Sequence, residues 1–182
     1  MADFEERRLP VGIQSFKEIR RNNYAYVDKT EIVWNLVNRG KKYNYLSRPR
    51  RFGKSLLVDT LQTYFEGRSD LFEGLKIMNL EKEWKKSPVI RLDMSRAGAS
   101  EKTIRSYLSM AFSREEAKYG ITMHEGASLA DRFDTIIQTA CQQTGESVAI
   151  VIDEYDSPLQ HSWKTPDHEA CTAVYREVFA IL

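Results

Sequence analysis

The chain has 182 residues, of which 42% are hydrophobic and 29% are charged, with 27 Lys and Arg against 26 Asp and Glu. This length and composition suit one domain with a buried core, and they exclude a generally disordered chain. Two cysteines are too few for a disulfide scaffold, and no apolar run reaches the roughly 18 residues of a membrane helix. Residues 1–8 form a charged tail without the apolar stretch of a secretory signal, so we expect a cytoplasmic protein with no membrane partner.

The charges are distributed unevenly along the chain. Residues 1–60 carry 13 Lys and Arg against 7 Asp and Glu, whereas residues 61–182 carry 14 against 19. The early positive excess favours binding of an anion such as phosphate, although a solvated basic face would give the same count.

Helical and β-prone segments alternate through the first half of the domain that we expect over residues 9–182. Apolar spacing predicts helices over 17–22, 28–40 and 54–67. Aromatic and β-branched runs predict strands over 24–27 and 43–47. A turn-like basic segment then joins the second strand to the helix that starts at Lys54.

The second half of the domain contains the longer elements. Strands are predicted over 88–94 and 147–152, and helices over 101–119, from Ser128 to Gly145, and over 167–182. The run 147–152 is continuously apolar and β-branched, as in a parallel strand that is covered on both faces. This alternation predicts an α/β fold with a mostly parallel sheet.

A candidate phosphate-binding loop lies between the predicted strand 43–47 and the helix that follows. Gly53, Lys54 and Ser55 match the end of the G-x-x-x-x-G-K-[ST] motif, in which backbone amides cradle a polyphosphate. In that motif Lys contacts the β- and γ-phosphates and the Ser hydroxyl binds Mg²⁺. The first Gly of the motif is replaced by Arg48, so the chain must enter this loop with a different backbone geometry. Arg50 and Arg51 are candidates either for phosphate contacts or for bracing the loop through ion pairs.

An acidic pair follows the most apolar strand of the chain. Asp153 and Glu154 end the run VAIVIDE, a pattern typical of the Walker B motif. A carboxylate at the carboxyl end of a buried strand can hold Mg²⁺ beside a phosphate loop, and the next carboxylate can polarise an attacking water. The sequence therefore predicts a nucleotide site made from these two distant motifs.

Four segments of the chain resemble the AAA-ATPase-like domain of predicted bacterial ATPases. They are LPVGIQSF at 9–16, YVDKT at 26–30, LSRPRRFGKSL at 46–56 and VIDEYDSPL at 151–159. The resemblance spans the chain from residue 9 into the last helix, and it accounts for Arg48 as a feature of the family's loop.

The resemblance implies a P-loop NTPase, a three-layer sandwich, with ATP and Mg²⁺ as ligands. It implies catalytic roles for Lys54 and Glu154 and metal binding by Ser55 and Asp153. The nucleotide-binding loop that it implies comprises Arg48, Pro49, Arg50, Arg51, Phe52, Gly53, Lys54, Ser55 and Leu56. Members of the family often continue into a PD-(D/E)XK nuclease-like region.

In proteins of this class a later strand, carrying a polar sensor residue, lies between the phosphate-loop strand and the Walker B strand. No strand-like run follows Asp153, so we expect a sheet that is incomplete at its C-terminal end. Such a sheet exposes strand edges, which favours self-association or pairing with a partner protein.

Other interpretations remain open for the function and for several residues. A non-catalytic nucleotide switch that regulates an effector, and a nucleic-acid-binding module that uses the basic N-terminal third, both fit the sequence. Asp28 suits helix capping better than contact with a nucleotide base. Tyrosines in the first half, including Tyr43 and Tyr45, suit core or half-buried strand positions better than a base-stacking platform.

Overall fold

Two compact units, residues 1–87 and 88–182, make up the chain, and each is described by itself. The computed structural model describes residues 7–47 and 52–182. Across these residues no helix combines the length and the apolar character that a membrane span needs.

The first unit is helical over the residues that the structure describes. Its helices are α1 (Phe16–Arg21), α2 (Thr30–Asn38), α3 (Lys54–Phe65) and α4 (Ile77–Leu80), with a 3₁₀ turn at Ser69–Phe72. Their apolar side chains share one core, which is centred on Phe16, Val33, Phe72 and Ile77. The rings of Phe16 and Phe72 lie 4.8 Å apart in this core.

Two aspartates connect the N-terminal segments of this unit to later helices. The carboxylate of Asp59 on α3 accepts the backbone N–H of Phe16 at 2.7 Å, which fixes the start of α1. The carboxylate of Asp28 accepts the N–H of Thr30 at 2.9 Å and the N–H of Lys76 at 2.7 Å. The N-cap of α2 is Lys29, which makes no side-chain capping bond, so Asp28 is not the cap that the sequence predicted. Asp28 instead binds the first helical residue, Thr30, and ties it to the approach to α4.

The second unit is built on a two-stranded parallel sheet. Strands β1 (Val89–Asp93) and β2 (Ala149–Asp153) pair in register, so that Asp93 lies beside Asp153 at the carboxyl edge. Helices α5 (Glu101–Tyr119) and α6 (Leu129–Thr144) connect the two strands. After β2 the chain continues as α7 (Ser157–Ser162) and α8 (His168–Phe179).

Local capping signals set the ends of the long helices in this unit. Ser128 and Asp131 form a reciprocal capping box at the start of α6, as the sequence predicted. Gly120 and Gly145 adopt left-handed conformations that end α5 and α6. The helices cover the sheet through a core that includes Phe112 and Phe133, whose rings stack 4.9 Å apart.

The predicted strands over 24–27 and 43–47 are wrong, because neither run is a strand in the structure. An extended run becomes a strand only by hydrogen bonding to a neighbour, and no strand of the described residues pairs with either segment. The side-chain amide of Asn44 instead donates to the carbonyl of Lys41 at 2.7 Å, which favours a turn there. The structure is thus a mixed α/β arrangement with a smaller sheet than the sequence pattern indicated.

Candidate functional site

The candidate phosphate site is centred on the first turn of α3. Gly53 is the N-cap and has φ of +74°, a left-handed conformation that side-chain-bearing residues rarely adopt. The carbonyl of Gly53 accepts the N–H of Leu57 at 3.0 Å, the first hydrogen bond of the helix. Lys54 and Ser55 follow at the first two helical positions and are both half-buried. The chain therefore turns into the helix at the glycine of the predicted motif.

This helix end has the features of an anion site. Among the described residues no side chain caps α3, and no acidic residue lies in its first turn. The first N–H groups of a helix have no acceptor within the helix, and its dipole places partial positive charge there. The Lys54 ammonium adds a full positive charge at the same end. The arrangement can bind a phosphate group.

Two threonines further along α3 are buried in the first unit. Thr60 and Thr63 are fully buried, and each hydroxyl donates to the backbone carbonyl four residues earlier at 2.7 Å. Asp59, one turn beyond Ser55, carries the bond to Phe16 described above. The body of α3 is thus buried within the first unit, and Asp59 connects it to the start of α1.

Part of the predicted binding loop lies outside the described residues. This part consists of Arg48, Pro49, Arg50 and Arg51. Phe52, which follows, is exposed, and Leu56 packs against the core of the first unit. The roles given to all these residues stay predictions.

The acidic pair lies at the carboxyl end of β2 in the second unit. Asp153 is buried, with only 8% of its surface exposed, and one of its carboxylate oxygens accepts the N–H of Glu154 at 3.1 Å. Glu154 is left-handed with φ of +48°, and its carbonyl accepts the N–H of Ser157 at 2.9 Å. A non-glycine residue in this region is strained, and such strain is common where a side chain must be aimed. The chain therefore turns sharply just after the strand, with Glu154 half-buried at the turn.

A second carboxylate accompanies Asp153 at the sheet edge. Asp93 is its register partner on β1, and the N–H of Asp93 donates to the Tyr107 hydroxyl at 2.8 Å. One carboxylate oxygen of Asp93 accepts both the N–H and the hydroxyl of Ser95, at 3.2 and 2.6 Å. Asp93 belongs to none of the sequence motifs, although its position at the end of a predicted parallel strand was a usable signal.

The turn that carries Glu154 is braced by α8. The Tyr175 hydroxyl donates to the carbonyl of Tyr155 at 2.8 Å, and the two rings pack edge-to-face with centroids 5.2 Å apart. Burial raises the pKa of Tyr175, so this hydroxyl stays protonated and remains a donor. Sequence patterns give no sign of this contact, because the two residues are twenty positions apart on different elements.

A family model places the chain among known proteins. The family model described as "AAA-ATPase_like: Predicted AAA-ATPase" matches residues 10–182. The "Uncharacterized protein in vnfD 5'region" of Azotobacter chroococcum mcd 1 is 35% identical over 163 residues, which is 88% of this chain. The chain spans about a third (31%) of the length of that relative. No solved structure gives a significant match.

Proposed function

Because the chain belongs to the predicted AAA-ATPase family, we propose that it binds ATP with Mg²⁺ and hydrolyses the terminal phosphate. The observation that carries this proposal is the start of α3, where left-handed Gly53 leads directly into Lys54 and Ser55. An uncapped helix end that bears a lysine and a hydroxyl suits a phosphate chain better than a neutral ligand. The fold that goes with it is the P-loop sandwich, with residues 9–182 acting together as one nucleotide-binding domain.

In the proposed complex the phosphates bind at the amino end of α3. The amides of the loop donate to the phosphate oxygens, and Lys54 neutralises charge that builds up as the terminal phosphoryl group leaves. The remaining residues of the predicted loop are also proposed to take part in nucleotide binding. They are Arg48, Pro49, Arg50, Arg51, Phe52, Gly53 and Leu56, among which the arginines can offer planar pairs of donors to the phosphate oxygens.

The proposed metal ligands are Ser55 and Asp153. Both supply hard oxygen donors, which suit Mg²⁺, and Asp153 is buried at a strand end. When bound, Mg²⁺ would offset negative charge on the phosphates. The chain's own part is to hold these oxygens, and the bond from Glu154 N–H to Asp153 leaves the other carboxylate oxygen of Asp153 for that task.

Glu154 is the proposed base for the attacking water. Its carboxylate accepts a proton from the water as the oxygen approaches the terminal phosphorus. The turn between Glu154 and Ser157, together with the brace from Tyr175, limits the positions that the side chain can reach. A positioned base of this kind contributes roughly 10²- to 10⁴-fold to a rate.

Calorimetry with ATP and Mg²⁺ tests binding. Wild type is expected to bind, and Lys54→Ala is expected to weaken the affinity by at least about tenfold, since a charged hydrogen bond contributes about 1.5–3 kcal/mol. Lys102→Ala, which removes an exposed lysine from α5, is the matched control and should leave the affinity unchanged. Equal affinities for wild type and Lys54→Ala would refute the proposed site.

Phosphate release tests hydrolysis separately. Glu154→Gln is expected to keep ATP affinity and to lose phosphate release, whereas Glu125→Gln, in the exposed loop before α6, should behave as wild type. If wild type binds ATP but releases no phosphate, the hydrolytic part of the proposal fails and the domain acts as a nucleotide switch.

A further inference from the structure

One stretch of the first unit is basic in sequence and contains no acidic residue. Residues 32–58 contain seven Lys and Arg and no Asp or Glu. Within it, the basic aromatic segment, which we define as Arg39, Lys41, Lys42, Tyr43 and Tyr45, lies just after α2 and is exposed throughout. The local field of this segment therefore attracts anions.

The aromatic rings of this segment are on the surface, contrary to the core or half-buried positions that the sequence suggested. Tyr43 is 62% exposed and Tyr45 is 77% exposed. By contrast Tyr26 and Tyr64, in the same unit, pack against its core. Leaving two large rings in water forgoes the stabilisation that burial of apolar surface provides. An exposed aromatic pair spaced two residues apart suits contact with flat, stackable groups.

Cations and rings are interleaved in this region. The Lys42 ammonium lies 5.0 Å from the centroid of the Tyr43 ring, and the Arg39 guanidinium lies 5.1 Å from that of Trp34. The bond between Asn44 and the Lys41 carbonyl fixes the turn that brings Lys42 and Tyr43 together. The segment thus presents positive charge and aromatic faces side by side.

We propose that the basic aromatic segment binds single-stranded nucleic acid, its cations contacting phosphates while Tyr43 and Tyr45 stack on successive bases. A polyanion with exposed bases satisfies both features at once, which is the usual composition of single-strand sites. A second copy that packed this segment against itself would bring the same positive charges together and is disfavoured by repulsion. An anionic membrane would pair with the cations of the segment, but it would leave the rings of Tyr43 and Tyr45 without bases on which to stack. The inference does not depend on ATP binding at α3.

The test is fluorescence anisotropy with labelled 20-nucleotide oligo(dT) and oligo(U) that have 5′-hydroxyl ends. Binding is measured over a salt series, with and without excess ATP, on the whole chain. Tyr43→Leu/Tyr45→Leu is expected to weaken binding by about tenfold or more, whereas Tyr43→Phe/Tyr45→Phe should retain it, because phenylalanine keeps the stacking face. The control Trp163→Ala removes a ring of equal exposure, 62%, from the second unit.

The salt slope tests the cations. Each phosphate contact on a single strand contributes about −0.7 to the slope of log affinity against log salt. Lys41→Ala/Lys42→Ala should therefore reduce the slope by about 1.4, and the charge-matched Lys102→Ala/Arg114→Ala should leave it unchanged. Binding to oligo(dT) alone or to oligo(U) alone supports the proposal and identifies the strand chemistry.

Four results would overturn the inference. They are no binding to either oligonucleotide, equal binding by the Leu and Phe pairs, complete displacement by ATP, and binding to phosphatidylserine vesicles but not to the oligonucleotides. Because all the substituted side chains are exposed, circular dichroism of each variant should match wild type, so a loss of binding reports on the surface and not on folding.

Discussion

Substitution of Gly53 by alanine isolates the contribution of one backbone conformation to the candidate phosphate site. Gly53 has φ of +74°, and a Cβ built there would meet no atom of residues 7–47 or 52–182 within 4 Å. Alanine therefore fits the space, and its cost is conformational, about 1–2 kcal/mol for an L-residue in the left-handed region. The variant can avoid this cost by leaving that conformation, which would misalign the first amides of α3.

Gly74 provides a matched comparison within the same unit. It also has φ of +74° with nothing within 4 Å of an added Cβ, but it lies in the turn before α4. Gly74→Ala should therefore lower the free energy of unfolding by a similar 1–2 kcal/mol, measured by urea denaturation. It should have no effect on ATP affinity.

The expected difference appears in calorimetry with ATP and Mg²⁺. If binding requires left-handed Gly53, the ligand must restore that conformation in Gly53→Ala, and the affinity falls by roughly 5- to 30-fold. The affinity of Gly53→Asn should fall less, since asparagine tolerates the left-handed region better than alanine does. Wild-type affinity in Gly53→Ala, or an equal loss in Gly74→Ala, would refute the argument that this residue shapes the site.

Three further predictions concern stability. Asp59→Ala should lower the free energy of unfolding by about 1–3 kcal/mol in urea, because it leaves the Phe16 amide without its acceptor; an unchanged midpoint would contradict that role for the bond. Phe112→Ala should lower the free energy of unfolding by about 3–5 kcal/mol, because the ring is fully buried against Phe133. A decrease below about 1 kcal/mol would be inconsistent with this packing. Burial alone would raise the pKa of Asp28, but donors that include the backbone N–H of Lys76 outweigh it and lower the pKa. The stabilisation that ionised Asp28 provides is complete above the ordinary aspartate pKa near 4, and it is lost as pH falls through the lower pKa of the folded protein. The urea midpoints of Asp28→Asn should therefore depend less on pH below 4 than those of wild type.

The elements that sequence predicted well are those fixed by local chemistry. The capping box at Ser128 and the glycine stops at 120 and 145 depend on residues within a few positions of each other, and the structure has them where the pattern indicated. The strand before Asp153 was also predicted closely, because its continuous β-branched run has few other stable environments.

The features that sequence predicted wrongly share a physical cause: they depend on residues far away in the chain. Residues 43–47 have strand-like composition, but strand formation is a property of two segments, and no partner strand is present among the described residues. For the same reason the exposure of Tyr43 and Tyr45 did not follow from their residue type. In the candidate site, Gly53, Lys54 and Ser55 were identified from a contiguous motif, whereas Asp93 required knowledge of which strand lies beside β2.

The hydrogen bond from the Tyr175 hydroxyl to the Tyr155 carbonyl couples α8 to the turn that carries Glu154. A rotation or shift of α8 by a neighbouring segment would pull on the backbone one residue from Glu154 and would redirect its carboxylate without touching it. In the proposed reaction, such a movement would alter the activation of water by Glu154 through a single tyrosine hydroxyl.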